Sequence, residues 1–194
     1  MADQSEARSE VALSAHAIHE LDPRVSIPTY DRGALDPGIV HIGVGGFHRA
    51  HQAVYLDELC RAGESGWSIT GAGVLPGDAA MKDALEAQDH LYSLVTRDAH
   101  ETQVSVIGSI IDYIHAAGDL EPLVAAVAAP ETRIVSMTVT EGGYPVAEAS
   151  GDFALTEADL LPPAFEALAR ALTRRRDDGR GGLTIQSCDN VMGN

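Results

Sequence analysis

The apolar positions change period along the chain, and the changes mark its elements. From Gly38 onward, short β-branched runs alternate with stretches whose apolar residues recur every three or four positions. A short apolar run bounded by turn residues reads as a buried strand, and the longer period reads as one face of a helix. "IVHIGV" (39–44) and "WSITGAGV" (67–74) are of the first kind. "FHRAHQAVYLDELCRAG" (47–63) spaces Ala50, Ala53, Val54, Leu56, Leu59 and Cys60 as one continuous helix that stops at Gly63. "GDAAMKDALEAQD" (77–89) predicts a second helix with Asp78 at its N-cap or first turn. "LYSLVTRD" (91–98) and "TQVSVIGSIIDYI" (102–114) predict either a hairpin or a strand followed by an excursion. "DLEPLVAAVAAPE" (119–131) is a helix that Pro130 ends, and "TRIVSMTVTEGGY" (132–144) is a strand running into a polar, glycine-rich end. "TEADLLPPAFEALARALTRRRDDG" (156–179) is helical, divided or restarted at Pro162 and Pro163, and "LTIQSCDNVMGN" (183–194) holds a last strand.

Strands alternating with helices predict an α/β fold, doubly wound and Rossmann-like, with a mainly parallel sheet and one hairpin excursion. The first 35 residues stand apart. "VALSAHAIHEL" suits one short helix, and Pro23, Pro28 and Pro37 prevent a long regular element between it and Gly38. The expected organisation is an N-terminal arm over 1–35 and one α/β domain over 36–194.

Composition narrows the partners. Thirteen basic against twenty-nine acidic residues give a formal net charge of −16, a field that repels nucleic acid and anionic membranes. One small anionic ligand is still compatible with it, because local backbone dipoles outweigh a diffuse field. No apolar run approaches the ~20 residues of a membrane span, and the acidic N-terminus lacks a signal peptide's apolar core, so a cytoplasmic location is expected. Cys60 and Cys188 match no zinc or redox spacing and read as two buried thiols. Arg174, Arg175 and Arg176 read as a solvated last helical turn.

The candidate chemistry starts at "HIGVGGFHRAHQA" (41–53). A glycine-rich turn between a strand and a helix is the context in which a backbone cradles a phosphate. Gly43 suits the tight turn, and Gly45 suits close approach to a pyrophosphate. The pattern departs from Gly-x-Gly-x-x-Gly, since His48 stands at the third glycine's place. That glycine lets helix and strand pack closely, so the helix must dock differently, and the small pair Gly46 and Ala50 offers a face for it. From the residues alone, a dinucleotide site and a plain strand-to-helix turn both stand. A zinc site of His41, His48 and His51 is a weaker reading, because the spacing lacks the glutamate of His-Glu-x-x-His; no metal is expected.

At this point three blocks resemble a known family. "GVGGFHRAHQAVYLDEL" (43–59), "TVTEGGY" (138–144) and "SCDNVMGN" (187–194) are similar to the polyol-specific long-chain dehydrogenases, and residues 25–53 most resemble their mannitol 2-dehydrogenase branch. The resemblance implies an N-terminal Rossmann-type domain binding NAD, a helical second domain, and metal-free hydride transfer between a polyol such as D-mannitol and its ketose, D-fructose. It implies a general-base lysine in the second domain within a lysine–asparagine–histidine pattern, and an asparagine of the Ser-Cys-Asp-Asn block that polarises the substrate oxygen. Asn190 matches that asparagine, whereas the only lysine, Lys82, lies outside the pattern and reads as a surface ion-pair residue. The expected sequence is therefore the cofactor half alone, inactive unless a separate chain supplies the rest.

Within that half, Gly43, Gly45, Gly46, Phe47 and Arg49 are expected at the pyrophosphate. Asp78 is expected at the adenosine ribose, where its charge disfavours NADP, and Thr140 and Glu141 beside the nicotinamide ribose. The catalytic candidate is Asn190, whose amide N–H donates to a developing alkoxide. A fructuronate- or tagaturonate-type reductase and a non-catalytic dinucleotide-binding module remain as alternatives.

Overall fold

The structure is a computed structural model that describes residues 12–139, 144 and 161–189. Five parallel strands form its centre: β1 (Ile39–Ile42), β2 (Ile69–Gly73), β5 (Ile110–His115), β6 (Ile134–Met137) and β7 (Thr184–Ser187), in the order β5-β2-β1-β6-β7. The chain winds outward from β1 through β2 to β5, then crosses back to β6 and β7 on the other side. The order therefore reverses between β1 and β6. In open α/β sheets the crevice outside the carboxyl ends at such a reversal is where ligands bind.

Every residue of β1 and β2 is buried, because helices cover both faces. Val40, Ile42, Ala72, Val135 and Met137 point to the side of α4 (Glu121–Ala128) and α5 (Pro163–Asp177), where Leu123, Val124, Val127, Ala167 and Leu168 complete an aliphatic layer. Ile39 and Ile69 point to the side of α1 (Gly46–Ala50), α2 (Gln52–Arg61) and α3 (Ala79–Glu86), where Ala53, Leu56, Leu85 and Tyr113 close a second cluster. The alternation along each strand is the period of two read out in packing.

The excursion resolves as a hairpin. Strands β3 (Tyr92–Arg97) and β4 (Thr102–Ile107) pair antiparallel in a sheet of their own, and β5 then enters the main sheet. The N-terminal segment lies on this hairpin: Ile18, Leu91 and Val106 form a small core, and the Ser26 N–H donates to Val104 O at 3.0 Å. Among the described residues its helical content is two 3₁₀ turns, Ala17–Glu20 and Arg32–Ala34.

Three details differ from the sequence-based expectation. The helix expected over 47–63 breaks at His51, whose φ of −127° and ψ of −86° are not helical. The His51 ring bonds the Phe47 carbonyl at 2.8 Å, the acceptor its own N–H would use, and that N–H turns to the His48 carbonyl instead. Arg175 is buried rather than solvated: its guanidinium donates to the carbonyls of Ala129 at 2.7 Å, just past α4, and Gly181 at 3.1 Å, just past α5. Of the two cysteines Cys60 is buried, but Cys188 is only partly so. Pro163 opens α5, a position where its missing N–H costs nothing, and Lys82 pairs with Glu86 at 3.5 Å on α3.

Candidate functional site

The carboxyl ends of β1 and β6 are joined by a short set of polar contacts. Gly43 follows β1 with φ +94°, and a side chain there would collide with the Thr138 carbonyl just past β6. The Thr138 hydroxyl donates to the Gly43 carbonyl at 2.5 Å, so the turn's first peptide is fixed against β6. Beyond it the backbone opens outward. A Cβ on Gly46 would meet nothing within 4 Å, and one on Gly45 would meet only the Gly43 carbonyl at 3.9 Å. The amides of the first turn of α1 have no acceptor inside the helix. Beyond Gly43 the turn is thus an open run of backbone whose N–H groups have no partner among the described residues, the polarity of an anion cradle. Since α1 spans only five residues, the cradle rests on these local amides rather than on a long helix's dipole.

Beneath the turn lie two histidines. His41 on β1 and His48 on α1 are both buried and stack with ring centroids 3.5 Å apart and planes 9° apart. His48 thus fills the helix–strand contact that a third glycine would leave empty. Gly46 and Ala50 do not supply the docking face, for both are exposed. His41 reaches Ser136 Oγ on β6 with Nδ1 at 2.7 Å, and Thr138 Oγ1 and the Gly43 carbonyl with Nε2 at 3.1 Å and 3.2 Å. The Thr138 proton is committed to the Gly43 carbonyl, so Nε2 faces two acceptor oxygens and a neutral ring carries its proton there. The Ser136 hydroxyl then lies between two acceptors, the unprotonated Nδ1 at 2.7 Å and Gln52 Oε1 at 3.0 Å.

Burial keeps both rings neutral. It lowers the His41 pKa to about 4, against a smaller opposing pull from the Gly43 carbonyl and Asp189. It lowers His48 to about 2, helped by His41 and Arg49 and opposed by the Gln52 amide. Neither His48 nitrogen has a hydrogen-bond partner among the described residues. His51 is exposed and stacks on Phe47 at 4.4 Å. The three histidines therefore do not converge, and among the described residues no group of three His, Cys, Asp or Glu side chains could hold a metal ion.

The remaining candidates surround the same edge. Phe47 is 61% exposed at the start of α1. The Arg49 side chain lies along the turn, with Nε 3.3 Å from the Gly45 carbonyl and its guanidinium 5.9 Å from the centre of the Tyr92 ring. Asp78 sits over the end of β2: a Cβ on Gly73 would collide with it and with the Tyr113 hydroxyl. Its carboxylate accepts the Leu75 N–H at 2.9 Å, so it caps the turn leading into α3 while standing at the sheet's carboxyl edge. Burial, aided by Asp78, pushes the Tyr113 phenol up to about 12. Past β7, Asp189 accepts a hydrogen bond from Tyr144 at 2.6 Å. Thr140, Glu141 and Asn190 lie outside the described residues.

Two features of this edge escaped the sequence. One is the ring stack of His41 and His48, which joins two successive elements. The other is a cleft of about 300 Å³ beside the ends of β2 and β5, lined by Val74, Ala116, Gly118, Asp119 and Leu120. Pro163, Glu166 and Arg170 of α5 complete its lining, so its residues come from three parts of the chain far apart in sequence, and no local pattern joins them.

Residues 37–194 match the family model described as the mannitol dehydrogenase Rossmann domain. A mannitol 2-dehydrogenase of Cereibacter sphaeroides is 48% identical over 180 residues, which cover 88% of this chain and 38% of that protein. The Pseudomonas fluorescens mannitol 2-dehydrogenase, solved as a ternary complex with NAD and D-mannitol, superposes with a TM-score of 0.85 at 40% identity, over 92% of this chain and 39% of that one. A substrate-free D-sorbitol dehydrogenase superposes with a TM-score of 0.83 at 35% identity and similar coverage. This chain thus spans under two fifths of the length of these relatives. The glycine turn at the sheet reversal and the family match agree: the chain belongs to the mannitol dehydrogenase Rossmann-domain family.

Proposed function

We propose that this chain is the NAD-binding part of an oxidoreductase that interconverts a polyol such as D-mannitol with its ketose, D-fructose. The observation that carries this is the open glycine turn at the reversal between β1 and β6, with Asp78 at the end of β2. The amides of Gly45, Gly46 and Phe47 hold the diphosphate, and Gly43 shapes the turn beneath them. Arg49 adds positive charge beside it. Asp78 accepts from the adenosine ribose hydroxyls and repels the extra phosphate of NADP. The cleft beside Val74 and Ala116 takes the adenine edge. Thr140 and Glu141, which come after β6 in sequence, border the nicotinamide ribose. Asn190, next to Asp189 in the chain, donates its amide N–H to the carbinol oxygen as it gains negative charge.

The bound coenzyme supplies the hydride acceptor or donor. The proton needs a base near neutral pKa. The resemblance to the polyol dehydrogenases implies a lysine base within a lysine–asparagine–histidine pattern, and Lys82, paired with Glu86 on α3, lies outside that pattern. The relatives' additional length is the natural source of both the base and the closure that excludes water.

Calorimetric titration of the chain with NAD and NADP tests the proposal. NAD is expected to bind measurably tighter, and Asp78→Ala to narrow that preference by about tenfold or more, as loss of a like-charge repulsion should. An unaltered chain that takes up no NAD removes the reading.

A further inference from the structure

The glycine turn departs from Gly-x-Gly-x-x-Gly at one residue only. Gly43 and Gly45 occupy the first two places, and His48 the third. The structure shows what that residue does to the packing. Its ring is 1% exposed and lies flat on His41 at 3.5 Å, so α1 stands off β1 by the thickness of an aromatic ring. Without a side chain at this place, helix and strand would close onto each other.

The ring beneath is not an inert floor. His41 holds the Gly43 carbonyl through Nε2, shares Thr138 with it, and bonds Ser136 through Nδ1. Ser136 in turn bonds Gln52, the first residue of α2. A peptide's N–H points opposite to its C=O, so fixing the Gly43 carbonyl fixes the direction of the Val44 N–H at the floor of the cradle. One stack therefore ties together α1, the turn, and the ends of β1 and β6. Resting on the cofactor reading above, we propose that His48 is a positioning residue for the dinucleotide: seated on His41, it sets the height and tilt of the Gly45–Phe47 amides.

The proposal depends on a flat ring at position 48 and not on charge. Burial holds both imidazoles neutral, and Arg49 beside them adds a further penalty against a second positive charge. Neither His48 nitrogen makes a well-formed hydrogen bond among the described residues, though the Gln52 amide faces the ring, so an apolar ring of similar size gives up at most that one weak contact.

Three variants decide the matter. His48→Gly completes Gly-x-Gly-x-x-Gly, His48→Leu fills the volume without a flat face, and His48→Phe keeps the flat face without nitrogen. NAD affinity is read by calorimetry, and the Gly45 and Gly46 amide resonances by NMR, each on variants whose thermal melts show a folded chain. His48→Leu, and His48→Gly where it folds, are expected to bind NAD about tenfold more weakly, the worth of one aromatic contact, with both glycine resonances shifted. His48→Phe is expected to restore the affinity and the resonances, and to melt higher than the unaltered chain. Binding by His48→Gly or His48→Leu equal to the unaltered chain overturns the proposal, as does a His48→Phe variant as weak as His48→Leu. Those outcomes leave the cofactor reading standing. Failure of the unaltered chain to bind NAD removes that reading, and the proposal with it.

Discussion

The two faces of the central sheet are built on different principles. On the α4/α5 face, alanine, valine and leucine meet almost without polar atoms, and the charged residue buried there, Arg175, lies at the periphery on carbonyls past the end of α4. On the α1/α2 face, His41, His48, Asp57, Ser109 and Ser136 are buried among the apolar residues. Asp57 accepts from Arg61 at 2.6 Å, from the Gly108 N–H at 2.8 Å and from the Tyr30 hydroxyl, and so joins α2 to the hairpin's exit and to the N-terminal segment. An apolar layer tolerates sliding between similar packings, whereas a hydrogen-bonded set accepts one arrangement. The difference places rigidity on the side that carries the glycine turn and leaves the other side as ballast.

Substitutions that treat the two faces alike should therefore behave differently. The largest loss is expected for Asp57→Ala, which leaves the Gly108 N–H, the Tyr30 hydroxyl and the Arg61 Nε–H without their acceptor, while the rest of that guanidinium keeps the Ile27 and Val106 carbonyls. A cost of about 3–5 kcal/mol in denaturant unfolding is expected for breaking one side of a buried pair. A cost near the ~0.5 kcal/mol of a surface substitution would mean that the polar face is no more exacting than the other. Leu123→Ala, at the centre of the aliphatic face and fully buried, is expected to cost about 3 kcal/mol through its cavity. Its NAD affinity should match the unaltered chain under conditions where both are folded. A fall in affinity with full folding would show that the aliphatic face also sets the turn.

The same contrast explains what was legible in the sequence. Strands β1, β2 and β6 and helices α2, α4 and α5 announced themselves through period, prolines and glycines, because helix and strand packing on both faces imposes those patterns locally. The glycine turn was legible for the same reason. What stayed hidden depends on side chains choosing partners across the sheet. The break at His51 arises from a ring bonding a carbonyl four residues back, and a helical period reads straight through it. Arg175 looked like its solvated neighbours Arg174 and Arg176, since only the approach of α4 gives it carbonyls to cap. His48 was visible as a departure from a glycine pattern, but its contact with His41 is a tertiary fact.

The histidine pair also separates the faces by pH, with an effect smaller per unit than either substitution. Both rings have folded pKa values below the ordinary 6.5, to about 4 for His41 and about 2 for His48, with burial as the main cause. The folded chain resists protonation that the unfolded chain accepts, so the unfolded state binds more protons as the pH falls. The stability these rings confer is complete above pH 6.5 and declines below it, by at most about 1.4 kcal/mol per pH unit for each ring. The decline from His41 ends near pH 4, and that from His48 continues toward pH 2. Arg49 facing His48 steepens the penalty, and Asp189 facing His41 softens it. Carboxylates also titrate below pH 5, so the diagnostic interval is pH 6.5 to 5, where His90, whose pKa burial also lowers, adds to the slope. His48→Phe should reduce the slope of the unfolding free energy across that interval without abolishing it, because His41 and His90 remain. An unchanged slope would mean that His48 is solvated and already titrates normally in the folded chain, and that the α1/α2 face is not sealed around the stack.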